Sequence, residues 1–229
     1  FSMRPESFPT AIRDMVEHVK ELLAARRAAP ADDLITGLIQ AREADGDQLT
    51  EHEMITMVLT LVLAGHETTA HLIGNGVQAL LTHPDQLQLL RDDPGRWPTA
   101  VHELMRWTGP VLVTRMRFAA EDVELGGVRI AAGEAVQAIL VSANRDPRVY
   151  DDPDRLDVTR RPAGRGEGHV GFGHGTHYCL GAALARQEAE VALPALFDRY
   201  PDLALDSAEP DWAKVPTMRR LATLPVRLR

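Results

Sequence analysis

The residue types able to do chemistry crowd into one short run, Phe172-Gly-His-Gly-Thr-His177-Tyr-Cys179-Leu-Gly181. Cys179 is the only cysteine, and it stands directly before a stretch with helical character. A sulfur at that position faces unpaired backbone N–H groups and the positive end of a helix dipole, and both favour the thiolate. The interspersed glycines permit a tight turn and the close approach of a flat partner to the backbone. One thiolate held in this way suits a single bond to iron. A lone cysteine is otherwise a small buried hydrophobe, but the glycine spacing and the neighbouring histidines point away from that role. A zinc site drawn from His174, His177 and Cys179 would be crowded on one loop, with no second CxxC or HxxxH to complete a tetrahedron. A Cys–His nucleophile pair would need an orienting partner, and the sequence offers none.

Several elements must carry this loop. Apolar residues at helical spacing predict a helix over 10–29, ended by Pro30, and a second from Asp32 or Asp33 to about Glu43. The run Asp45-Gly46-Asp47 is a turn. Thr50-x-x-Glu53 is a capping box that opens a long helix with no strong stop before His83-Pro84. Its middle, 54–64, is apolar nearly all round and is expected to be buried on most sides. Shorter helices cover 85–90 and 98–107. Short strands are expected over 111–118, 123–125, 128–130 and 135–141, with Gly126-Gly127 as a hairpin turn. Residues 144–168 form a long irregular tract, and loops of that length are usually functional or disordered. A helix follows over 180–200, and a last strand lies near 221–228.

Two further motifs stand upstream of the cysteine loop. Glu103-x-x-Arg106 places an acid and a base on one helix face, where they can pair. Ala64-Gly65-His66-Glu67-Thr68-Thr69 interrupts the apolar middle of the long helix with small and polar residues. Glycine there costs about 0.5–1 kcal/mol relative to alanine. A threonine at such a place can also bond its own i−4 carbonyl and merely bend the helix.

Phe172-Gly-x-Gly-x-His177-x-Cys179-x-Gly181 resembles the haem-binding signature of the cytochrome P-450 superfamily, the haem-thiolate monooxygenases, of the soluble bacterial type. The two upstream motifs fall in that family's order. The resemblance implies a mainly α (α+β) fold in which this chain is the C-terminal part, one domain over 1–229 lacking its N-terminal part, with a long central helix and a small β region. The cofactor it implies is haem b (iron protoporphyrin IX), with Cys179 as iron ligand. Phe172, Gly173, Gly181, Ala64 and Gly65 belong to the cofactor-binding set that the resemblance implies, and the small residues at 64 and 65 leave room for dioxygen. Glu67 is the acid and Thr68 the alcohol that deliver protons, with Thr69 behind them. His177 and Arg117 bind the haem propionates, with Arg115 as a rival of the same strand parity. Glu103 and Arg106 form the family's structural pair, completed by an arginine from the irregular tract that is assigned to Arg155. The remaining histidines, His102 and His169 among them, read as packing or surface residues.

Composition sets the outer limits. The chain has 229 residues, is 45% hydrophobic and 25% charged, and carries 25 Lys+Arg against 33 Asp+Glu, a net charge of −8. Such a composition is globular. An acidic chain is a poor binder of nucleic acid, a lone cysteine suits a reducing cytoplasm, and no apolar stretch is long enough to span a membrane. The function that the resemblance implies is insertion of one oxygen atom from dioxygen into a small hydrophobic substrate. Its contacts would come from Leu61, Ala64, Thr69, residues 111–114 and Leu221-Ala222. Electrons would come from a separate ferredoxin-type donor, and the basic tract between Arg155 and Arg186 reads either as its docking surface or as a solvated charged loop. The alternatives are a non-catalytic fragment that awaits a separate N-terminal fragment, or a peroxide-using oxygenase.

Overall fold

The computed structural model describes residues 8–44, 49–161, 167–206 and 209–228. The turn expected at Asp45-Gly46-Asp47 lies outside them. Among the described residues the chain is mainly helical with four small two-stranded sheets. It divides into two compact units, Phe1–His66 and Glu67–Arg229, with the boundary inside one continuous helix.

The first unit holds α1 (Phe8–Ala28), α2 (Leu34–Ala44) and the N-terminal half of α3 (Glu51–Thr82). Its core is Val19, Leu23, Ile39, Met54, Ile55 and Val58. The capping box forms as expected. The Thr50 N–H donates to Glu53 Oε2 at 2.7 Å, and the Glu53 N–H donates to Thr50 Oγ1 at 3.3 Å. Two orphan donors at the helix start are thereby satisfied. The apolar middle of α3 is not buried on most sides. Met54, Ile55 and Val58 are buried, whereas Val62 and Leu63 are both 52% exposed. Apolar residues all round a helix exceed what one packed face can cover.

The second unit holds α4 (Pro84–Asp92), α5 (Trp97–Thr108), α6 (Leu140–Ala143) and α7 (Ala182–Arg199). Leu72, Leu80, Leu90, Leu104, Leu156 and Leu193 are among its buried core residues. Trp97 of α5 stacks on Phe197 of α7, with ring centroids 6.2 Å apart. Gly76 of α3 lets these helices approach. A Cβ there would stand 3.3 Å from Leu104 Cδ1 and 3.6 Å from both Leu193 methyls.

The strands are β1 (Arg117–Phe118), β2 (Val123–Leu125), β3 (Val128–Ile130), β4 (Ala135–Val136), β5 (Ala204–Leu205), β6 (Asp211–Trp212), β7 (Leu221–Thr223) and β8 (Val226–Arg227). They pair antiparallel as β1–β4, β2–β3, β5–β8 and β6–β7. The β2–β3 turn uses Gly126 and Gly127 at φ 58° and 79°, the positive values a two-residue hairpin of the primed type needs. The expected strand over 111–118 shrinks to β1 and two isolated bridges, Val111↔Met218 and Val113↔Ile139. The strand expected over 135–141 keeps only β4 before the chain turns into α6. Side chains interrupt the ladder here. Thr114 Oγ1 accepts from the Ala138 N–H at 3.1 Å, and Gln137 Nε2 donates to the Thr114 carbonyl at 2.7 Å. The last strand breaks into β7 and β8 around Pro225, which lacks an N–H. The Pro225 carbonyl accepts from Asp206 at 3.0 Å.

Candidate functional site

The cysteine loop is built on backbone hydrogen bonds. The Gly173 N–H donates to the Val170 carbonyl at 2.9 Å, and the Cys179 N–H donates to the Phe172 carbonyl at 2.9 Å. Between them a 3₁₀ turn spans Gly175–His177. Gly173 and Gly175 take φ of 78° and 71°, a region that L side chains avoid. A Cβ at Gly173 would also stand 3.3 Å from the His177 carbonyl oxygen. The Cys179 carbonyl then accepts from the Ala182 N–H at 3.2 Å, where α7 begins, with Gly181 at its N-cap.

The loop buries Phe172 and exposes Cys179. Phe172 is buried, with the His169 ring 5.8 Å away and the Arg186 guanidinium 5.8 Å over its face. Cys179, His174 and His177 are exposed, and Leu180 is 87% exposed. A Cβ added at Gly175 or Gly181 would meet nothing within 4 Å. The loop therefore presents one thiol, an exposed leucine and bare backbone to open space. That donor set and shape fit a flat apolar group held through a single soft ligand.

A second set of groups anchors the loop from behind. Arg106 grips Glu103 with two hydrogen bonds, Nε to Oε2 at 2.6 Å and Nη2 to Oε1 at 2.8 Å, and both side chains are almost fully buried. Such a fork is the strongest geometry for this pair. Arg106 Nη1 also donates to the carbonyls of Asn144 at 2.9 Å and Pro153 at 2.7 Å, and Nη2 to that of Arg155 at 3.1 Å. Asn144 then carries the connection forward, its Oδ1 accepting from the Val170 N–H at 2.8 Å. Tyr150, whose ring lies 5.2 Å under the Arg106 guanidinium, donates from its hydroxyl to the Gly168 carbonyl at 2.6 Å. The chain of contacts runs from Glu103 through Arg106 and Asn144 to the root of the cysteine loop.

The arginine that completes the pair is Arg160, not Arg155. Arg160 Nε lies 3.3 Å from Glu103 Oε1, while Nη1 and Nη2 donate to the carbonyls of Asp151 at 2.8 Å and Asp152 at 3.2 Å. Arg155 points its exposed side chain at Asp157, 2.9 Å away, and offers Arg106 only its carbonyl. Both arginines sit in the irregular tract, where counting along the chain cannot separate them. The basic tract is also less free than its composition implied. Arg155, Arg160 and Arg186 each pair with a carboxylate, of Asp157, Glu103 and Glu167, and Arg165 lies outside the described residues.

His102 and His169 form a pair that sequence patterning missed. His102 Nδ1 and His169 Nε2 are 3.2 Å apart, and the Gly171 N–H donates to His169 Nδ1 at 3.1 Å. With Nδ1 accepting, His169 carries its proton on Nε2 and donates to His102. Burial foremost, then His102 and Arg106, push the His169 pKa down to about 4. Burial, then Arg186, lowers that of His102. The two residues lie 67 positions apart, so no spacing rule joins them.

On α3, Ala64 and Gly65 are exposed, Glu67 and Thr68 are half-buried, and Thr69 is buried. Glu67 Oε1 accepts from Arg220 Nη1 at 2.8 Å. Asn75, two turns further along α3, is fully buried and donates to the carbonyls of Thr108 at 3.1 Å and Arg219 at 2.9 Å. Arg115 and Arg117 are both exposed, and neither enters an ion pair among the described residues. Leu112 lines an open cleft of about 530 Å³ together with Trp212, Val215 and Met218. No helix among the described residues is long and apolar enough to cross a membrane.

Comparison with known proteins follows the same lines. The family model described as Cytochrome P450 matches residues 7–93 and 98–226. The chain is 49% identical over 227 residues to Cytochrome P450 107B1 of Saccharopolyspora erythraea, covering 98% of this chain and 55% of that protein. It is 43% identical to Cytochrome P450 monooxygenase PikC of Streptomyces venezuelae, covering 98% and 54%. Among solved structures it resembles the LnmA cytochrome P450 hydroxylase of Streptomyces atroolivaceus, with a TM-score of 0.89 and 48% identity over 98% of this chain and 57% of that one. The chain spans about half the length of the curated relatives it matches.

Proposed function

The chain belongs to the cytochrome P450 family, and from that premise we propose that it carries the cofactor loop and proton-delivery helix of a haem-thiolate monooxygenase. The reaction is insertion of one oxygen atom from dioxygen into a hydrophobic organic substrate, with electrons from a separate ferredoxin-type donor. The observation that carries this reading is the exposed Cys179, presented by a glycine-turned loop that Asn144 and Arg106 anchor from behind. Haem b is the cofactor that this donor set suits, and when bound it supplies dioxygen activation, with thiolate ligation favouring O–O cleavage.

The residues divide the remaining work. Cys179 would hold the haem iron through its thiolate. Phe172, Gly173 and Gly181 hold the loop in shape, and His177 and Arg117 bind the propionates by charge-assisted hydrogen bonds. Ala64 and Gly65 present little side-chain bulk at the turn of α3 before Glu67, which leaves space for dioxygen. Glu67 takes protons from solvent through its half-exposed carboxylate, and the Thr68 hydroxyl holds a water that passes them on, as general acid catalysis requires. Leu112 and Met218, in the cleft lining, favour an apolar substrate.

The test is ligation. In the full-length, haem-loaded protein, the reduced carbon monoxide spectrum shows the strongly red-shifted band of a thiolate ligand, and Cys179→Ala abolishes it. Persistence of that band after Cys179→Ala would overturn the assignment.

A further inference from the structure

Glu67 has a partner that no spacing in the sequence signals. Arg220, 153 residues further along the chain, donates from Nη1 to Glu67 Oε1 at 2.8 Å. His71 Nε2, one turn along α3, lies 4.0 Å from the same oxygen. The two side chains are 25% and 44% exposed, Arg220 the more buried. Arg220 Nε is buried and has no acceptor among the described residues, so Glu67 is the acceptor on which this guanidinium depends.

The backbone beneath Arg220 is unusually well fixed. The Arg219 N–H donates to the Pro110 carbonyl at 2.7 Å, and the Arg219 carbonyl accepts from Asn75 Nδ2 at 2.9 Å. Arg219 Nη1 donates to the Trp107 carbonyl at 2.8 Å. The Arg220 carbonyl accepts from the Ala213 N–H at 3.0 Å. Asn75 and Glu67 both belong to α3, so one helix sets the acid and also clamps the segment that delivers its cation. An arginine on a mobile surface loop loses rotamer freedom when it pairs, and gains little. Here most of that ordering is already imposed by the fold, and a planar guanidinium with a preset direction fixes the carboxylate as a point charge on a flexible stem would not.

We propose that Arg220 is a positioning residue for Glu67, which commits Oε1 to the guanidinium and leaves Oε2 outside that bond to exchange protons with water beside Thr68. The proposal rests on the proton-supply role assigned to Glu67 above. It predicts that loss of Arg220 loosens the carboxylate and degrades proton delivery, while ligation and folding stay intact.

The experiment uses the full-length, haem-loaded protein labelled with ¹³C-glutamate, and needs no known substrate. The Glu67 carboxylate band is identified in the infrared spectrum as the one lost in Glu67→Gln. It shifts in Arg220→Gln and shifts less, in the same direction, in Arg220→Lys. Hydrogen peroxide released per reductant consumed, with one fixed reductase–ferredoxin pair, rises about threefold in Arg220→Gln and stays near wild type in Arg220→Lys. The double variant Glu67→Gln/Arg220→Gln releases no more peroxide than Glu67→Gln alone. A band that does not move in either Arg220 variant overturns the proposal, and Arg220→Lys decides this even where Arg220→Gln folds poorly. A raised peroxide yield in Glu67→Gln with an unchanged yield in Arg220→Gln sinks the positioning role alone. An unchanged yield in Glu67→Gln instead removes the proton-supply role beneath it.

Discussion

At the scale of single residues, the His102–His169 pair makes stability depend on pH. Folded His169 titrates at about 4, against 6.5 for an unperturbed imidazole. Between those values the unfolded chain takes up a proton that the folded chain refuses. The stabilisation from a neutral His169 is therefore complete above about pH 6.5 and is lost as pH falls towards 4. Lowered titration of His102 acts in the same direction. The groups facing the pair are Arg106, Arg186 and Glu190. His169→Gln keeps a polar side chain without a titrating ring. Denaturant unfolding between pH 4 and 6.5 should then show a pH slope lower by up to about 1.4 kcal/mol per pH unit, the limit for one proton. An unchanged slope would mean that His169 does not hold its neutral form in the folded chain. Neither histidine stood out in the sequence, because a pair drawn from two distant elements leaves no local pattern.

At the scale of elements, local signals were legible and long-range ones were not. The capping box at Thr50 and Glu53, the Gly126-Gly127 hairpin and the helix after the cysteine loop all rest on contacts within a few residues, and all appear where the pattern put them. Strands over 111–118 and 135–141 were overextended, because alternation records which face is apolar and not where Thr114 and Gln137 replace ladder bonds with their own. The Glu103–Arg106 pair was legible at i, i+3, but its third member was not. Arg160 closes the irregular tract onto Glu103 and onto two further carbonyls. Arg155 contributes a carbonyl that no side-chain substitution removes. Arg160→Ala should therefore cost about 1–3 kcal/mol in chemical denaturation, and Arg155→Ala less than about 0.5 kcal/mol, as for an exposed surface change. Glu103→Ala or Arg106→Ala leaves a buried charge unpaired, at about 3–5 kcal/mol. Equal losses for Arg155→Ala and Arg160→Ala would restore Arg155 to the network.

At the scale of the whole molecule, the two units differ in the means they have to stay folded. Among the described residues the first buries six core side chains, Val19, Leu23, Ile39, Met54, Ile55 and Val58, drawn from three helices. The second packs nineteen into one cluster, and adds the Glu103 network, the Asn75 clamp and the hydrogen bonds of the cysteine loop. Each fully buried aliphatic or aromatic side chain contributes about 1.5–3 kcal/mol relative to its exposed state, so the smaller core opens at lower free energy. Local opening governs amide exchange, and it follows core size and satisfied polar contacts. Amides of α1 and α2 should exchange markedly faster than those of α5 and α7, read by hydrogen–deuterium exchange of this chain under native conditions. Within α3 the protection should change along the helix, lower before His66 and higher around Leu72 to Leu80, where the larger core closes over it. Uniform protection along the whole of α3 would show that the helix opens as one element, and that core size on either side of His66 does not set its local stability.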